Sequence, residues 1–153
     1  MADDMTELAH PAMGIVVELP TGWEVEGDAA GRALTCLPDG EWEQDGLSAA
    51  IRIARQAPLE VDEDVAEVAA ESLASLHASS PDLEVLHTEQ QGTTVIRVYE
   101  YEPEGLGRRV RQGQGLIAEV GLWSVTASSP LVHADALQPV FLAVIRSLRR
   151  LET

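Results

Sequence analysis

The chain has 153 residues, 45% hydrophobic and 24% charged, the balance of a single folded domain over 1–153 rather than of a disordered tail. It carries 26 acidic residues against ten basic ones, for a formal net charge of −16, and every basic residue is an arginine. The lack of lysine excludes P-loop, Schiff-base and lysine-base chemistry, and the acidity argues against nucleic acid and anionic membranes as partners.

The opening MADDMTELAHPAMG has neither a basic n-region nor an apolar h-region, and residues 1–12 read as a flexible N-terminal extension. GIVVELP (14–20) alternates as a strand, with Ile15, Val17 and Leu19 on one side and Val16 and Glu18 on the other. PTG is a turn signal, and WEVEG (23–27) resumes the alternation. Trp23 is therefore expected to pack where two short strands meet, at the end of the core. RALTCLP (32–38) reads as a further strand, and PDGEWEQDG (38–46) as a polar, acidic hairpin loop. In LSAAIRIARQ (47–56), Ala49, Ile51 and Ile53 alternate against Ala50, Arg52 and Ala54.

The period then changes. Val65, Val68, Leu73 and Leu76 recur at helical spacing and predict a helix over 62–77, with Asp62, Glu63 and Asp64 in its first turn. SSPD (79–82) ends it. Four strand-like segments follow, 83–90, 93–101, 109–120 and 122–129, with connections short enough for hairpins. A second amphipathic helix over 135–149 closes the chain, its stripe made by Leu137, Phe141, Val144, Ile145 and Leu148. Asp135 is its expected N-cap, which leaves Pro139 near the first turn and Arg146, Arg149 and Arg150 in the last.

This element order, with LPTGW near the N-terminus and IRSLR near the end, resembles the PsbP-like fold, and within it the actinobacterial LpqN family. Proteins of this shape include the photosystem II extrinsic protein P, a yeast Ran-binding import factor and chaperones of type VI secretion effectors. The resemblance implies an α+β domain: a central antiparallel sheet of about six to seven strands with helices packed on its faces, an α/β/α sandwich. It implies a non-catalytic binding or assembly role, and it transfers no functional residue. LpqN-type proteins are often lipoproteins, whereas this sequence has no lipobox cysteine.

The sequence carries few signatures of chemistry. His10, His77, His87 and His133 are scattered without metal-ligand spacing, and no nucleophile elbow occurs. GQG (113–115) lacks the rest of a dinucleotide fingerprint, so a bulge or a close backbone approach accounts for it better. No catalytic residue, metal or cofactor is implied. Cys36 stands alone and can form no internal disulfide, and apolar runs such as VFLAVI (140–145) are too short to span a bilayer. Together these features read as a cytoplasmic chain without membrane insertion.

Two features stand out as partner-binding candidates. GRRVR (107–111) concentrates Arg108, Arg109 and Arg111 in an acidic chain. Arg109 and Arg111 share a strand face and either grip a carboxylate-rich partner or pair with Glu100, Glu102 or Glu104 across the hairpin; the pairing is ordinary sheet chemistry and is preferred. Trp42, in the acidic loop, either meets a partner or folds back over the sheet edge. The expected function is a non-catalytic interaction module, an adaptor, assembly factor or escort that binds a protein or peptide. The alternatives are a small-molecule binder or minor enzyme with a pocket between sheet and helix, and a homodimer built by sheet packing.

Overall fold

Strands that keep one apolar side must bury it against a second layer, and this chain does so on both faces of one large sheet. The computed structural model describes residues 5–27, 31–38, 40, 42–44, 46–56, 64–103, 105, 107–118 and 122–151. Its elements run β1 (Met5–His10), β2 (Ile15–Pro20), β3 (Glu24–Gly27), β4 (Ala33–Leu37), β5 (Glu43–Gln44), β6 (Leu47–Ser48), β7 (Ala50–Gln56), α1 (Val65–Ser79), β8 (Glu84–Gln91), β9 (Thr94–Tyr101), β10 (Val110–Ile117), β11 (Leu122–Pro130), α2 (Leu131–Ser147) and β12 (Arg149–Arg150). Seven strands form an antiparallel sheet in the order β3-β4-β7-β11-β10-β9-β8. The fold is α+β, with the meander β8 to β11 as expected.

Side chains alternate across the sheet, so register assigns each residue to a face. Gly115 lies opposite Val125, and Val125 opposite Ile53, which lies opposite Leu34. These residues turn towards α2, whose buried stripe is Ala134, Leu137, Phe141, Val144 and Ile145. Ile15, Val17 and Leu19 of β2 join the same core cluster, and Trp23 packs against it half-buried. On the other face, Val65 and Ala69 of α1 meet Val95, Leu116 and Leu122 in a separate, smaller cluster. GQG is a close approach, as expected: a Cβ on Gly115 would lie 2.4 Å from Cγ2 of Ile145.

Several expectations need correction. Residues 5–10, expected within a flexible extension, form β1 and pair along their whole length with β2. The β1-β2-β12 sheet is separate from the main one, because β2 spends its partners on β1 and β12. α2 begins at Leu131 rather than Asp135, with Pro130 at its N-cap. Pro139 therefore sits inside the helix, where it is exposed to solvent. The helix ends at Ser147, and Arg149 and Arg150 leave it to pair with Val16 and Ile15. The first helix starts one residue after Asp64, whose carboxylate accepts from the Glu67 amide at 2.8 Å; its expected residues Asp62 and Glu63 lie outside the described residues.

Candidate functional site

The face of the sheet under α1 is polar in its middle. One cross-strand row runs Thr35, Arg52, Thr126, Gln114, Arg97 and Thr88 from β4 to β8. The next row continues with Ala54, Ser124 and Leu116, which lie opposite one another in the same way. α1 packs mainly on β9 and β10, touches β11 at Leu122, and leaves Arg52 and Ala54 of β7 and Ser124 and Thr126 of β11 lining the space beside it. The result is a recess of about 340 Å3, floored by β7, β10 and β11 and walled by Val68 and Ser72 of α1. Arg52 enters it from β7, exposed, with no hydrogen bond or ion pair among the described residues.

Behind this recess lies Arg97, only 3% exposed. Its Nε donates to Oε1 of Gln114 at 2.7 Å, and its two terminal nitrogens donate to the Ala69 carbonyl and to Oγ of Ser72. All three acceptors are neutral. Burial pulls its pKa below the ordinary arginine value, opposed by the charge of Tyr99, and the group remains a cation because arginine does not deprotonate in proteins. Buried charges are ordinarily paired, since taking an ion out of water costs several kcal/mol. No carboxylate of the described residues pairs with this one.

The sequence-predicted residues are engaged within the chain. Arg111 donates to Glu100 and to Asp135 at 2.8 Å each, which ties β10 to β9 and to α2. Burial opposes its charge, but the two carboxylates outweigh that and raise its pKa. Arg109 pairs with Asp82 at 2.9 Å and lies 3.8 Å from both Glu84 and Glu100. Thus Glu100 is a partner as expected. Glu102 instead donates its backbone amide to Asp82, and Glu104 lies outside the described residues. Arg108 donates to the Gln44 carbonyl at 3.1 Å. Trp42 is half-buried against the main core and meets His133 edge-on, with ring centroids 5.4 Å apart. His133 in turn lies 3.2 Å from the Glu43 carbonyl, so Trp42 and Glu43 lie against the start of α2.

Arg52, Ser72, Arg97, Gln114, Ser124 and Thr126 were not singled out from the sequence. A signal existed. Ser124, Thr126 and Ser128 alternate against Trp123, Val125 and Ala127 in β11, and Arg97 interrupts the run of Val95, Ile96, Val98 and Tyr99 in β9. Period-two reading marks these as a second, polar face, but only the sheet order brings them together.

A second exposed feature is the edge strand β8. Seven of its eight residues are exposed, and it carries Val85 and Leu86 at 38% and 42% exposure, with a register irregularity between Val85 and His87. Among the described residues it pairs with β9 alone.

No protein-family model matches the chain, and neither does any curated protein. Solved structures do. The cyanobacterial PsbP protein CyanoP of Synechocystis sp. PCC 6803 superposes with a TM-score of 0.62 at 13% identity, over 96% of this chain and 92% of that one. The fold is PsbP-like. A protein of unknown function from Pseudomonas aeruginosa, PA94, described as a putative regulator, gives 0.65 at 16% identity over 97% and 99% of the two chains. A Bacteroides thetaiotaomicron protein gives 0.59 at 11% identity, over 97% of this chain and 49% of its own. At these identities the likeness concerns the PsbP-like fold. Among the described residues no helix is long and apolar enough to cross a membrane.

Proposed function

We propose that the chain is a non-catalytic interaction module of the LpqN type, an adaptor or escort that takes an extended segment of a protein partner along β8. The observation that carries this reading is the edge itself: eight residues long, exposed, and with two apolar side chains on view. An unpaired edge offers a row of backbone donors and acceptors, and natural proteins usually blunt such edges. A partner strand would add to the sheet through main-chain hydrogen bonds, with Val85 and Leu86 reading its side chains. A net charge of −16 goes with a protein rather than a nucleic-acid partner. A cytoplasmic location goes with the same reading, in line with the single cysteine, Cys36, whose buried thiol is pushed up to about 11.

The test compares affinity capture from the native host by the wild-type chain and by Leu86→Pro, after circular dichroism establishes that both are folded. Proline on an edge removes a donor without disturbing inner pairs. Partners retained by the wild type should be lost with the variant. An unchanged set of captured proteins would move the docking surface away from β8. A second copy as occupant would show as a dimer in size-exclusion chromatography that Leu86→Pro dissociates.

The recess beside α1 favours a second reading, a small-molecule binder. Its volume of about 340 Å3 falls at the lower end of ligand sites, roughly 300–1,000 Å3. It is lined by polar groups that converge from three strands and a helix.

A further inference from the structure

We infer that the recess between α1 and the sheet is an oxyanion site, which takes a small molecule carrying a carboxylate or phosphate group. The inference rests on the small-molecule reading just given and specifies its ligand chemistry.

The hydrogen-bonding groups already engaged decide which ones face the recess. Arginine can only donate, so the two side chains that receive Arg97 must do so through their acceptors. Gln114 therefore turns Oε1 towards Arg97, and its amide NH2 group makes no bond of its own among the described residues. Ser72 likewise accepts from Arg97 through Oγ, which leaves its hydroxyl hydrogen free to donate. Both residues line the recess. The buried cation thus consumes acceptors at the wall and leaves donors to the cavity. It also polarises those donors, since bonds in a chain strengthen one another.

The floor has the same character. Thr126, between Gln114 and Arg52 in the cross-strand row, has a hydroxyl with no partner among the described residues. Ser124 accepts from Nε2 of Gln56 at 2.8 Å, so its hydroxyl hydrogen too remains to donate. Arg52 supplies the charge, with a guanidinium fork that no carboxylate of the described residues occupies, a geometry suited to bidentate capture of carboxylate or phosphate. In a chain with 26 acidic residues, none of the ten described residues lining this recess is acidic. Such a lining repels cations weakly and neutral ligands not at all, and the donors of Arg52, Ser72, Gln114, Ser124 and Thr126 that have no acceptor among the described residues are satisfied by an anion or by water. An oxyanion answers the Arg52 fork directly and offsets the uncompensated charge of Arg97 behind it.

The experiment is an amide NMR titration of the whole chain with three probes at matched ionic strength: succinate, its neutral isostere succinamide, and inorganic phosphate. Saturable shifts at residues 52, 114 and 126 are expected with succinate or phosphate and not with succinamide; whichever anion saturates first identifies the headgroup. Arg52→Ala should weaken that binding roughly tenfold or more, as loss of a charge-assisted fork requires. Arg52 is exposed, so the variant keeps the fold, and Thr126→Val gives an independent, smaller loss. Equal anion binding by wild type and Arg52→Ala overturns the inference. Succinamide binding as well as succinate also overturns it, while the small-molecule reading stands. No shifts with any probe removes both.

Discussion

At the scale of single residues, the absence of one side chain sets the distance between the main sheet and α2. Gly115 has no positive φ to explain it; its reason is space, since a Cβ there would meet Ile145 Cγ2 at 2.4 Å. Gly115→Ala should therefore cost about 1–3 kcal/mol, the usual penalty of overpacking a dense core. In an Ile145→Ala background the obstacle is gone, and the same glycine change should cost almost nothing. Denaturant unfolding of the four proteins of this cycle measures the coupling directly. Additive losses would show that the glycine answers to something other than the helix. The neighbouring Gly113 is gentler, with its nearest atoms on Ile145 and Phe141 at 3.9 Å.

At the scale of elements, α2 is fastened to the sheet at two heights. Arg111 holds Asp135 and Gln138 in its first half, at 2.8 and 2.9 Å. Arg146 near its end reaches Glu89 on the edge strand β8 at 2.7 Å, and His87 bonds the same carboxylate at 2.9 Å. The hydrogen bonds from His87 and then Arg146 hold the Glu89 pKa below its ordinary value. A carboxylate whose folded pKa is depressed adds stability that is present above its unfolded pKa, about 4.3, and lost as pH falls through the folded value. The difference in melting temperature between wild type and Glu89→Gln should therefore be present at neutral pH and shrink to nothing in that acid window. A difference that persists unchanged below it would mean that Glu89 acts by shape rather than charge.

At the scale of the whole molecule, a formal charge of −16 on 153 residues makes the folded state repel itself. Ion pairs neutralise only part of it; Arg111, Arg109, Arg146 and Arg149 each engage a carboxylate, yet the acids outnumber the arginines by more than two to one. Screening should relieve the long-range repulsion more than it weakens these short contacts, because the Debye length falls from about 30 Å at 0.01 M to about 8 Å at 0.15 M salt. The melting temperature is expected to rise with sodium chloride over that range. A fall would place the balance with the local ion pairs instead.

The strands and helices were legible because burial imprints its period on the chain. Ile51 and Ile53 alternate with Arg52 and Ala54, and Leu137, Phe141, Val144 and Ile145 recur by turns of a helix; no partner need be known to see either. The glycines at 113 and 115 announced a bulge or a close approach, and the fold uses the second. What local pattern does not carry is the choice among partners. That β2 forsakes the main sheet for β1 and β12, that Pro130 opens α2 and leaves Pro139 inside it, and that Arg149 and Arg150 become a strand all depend on which backbone groups lie nearby after collapse. The arginines divide in the same way. GRRVR drew notice because its charges are adjacent in sequence, and folding spends them on Glu100, Asp82 and Asp135. Arg52 and Arg97 lie 45 positions apart, and only the order β7-β11-β10-β9 sets them in one row. Hydrophobic periodicity is a property of a segment and survives in the bare sequence; a binding site is a property of register between segments, which exists only once the chain has folded.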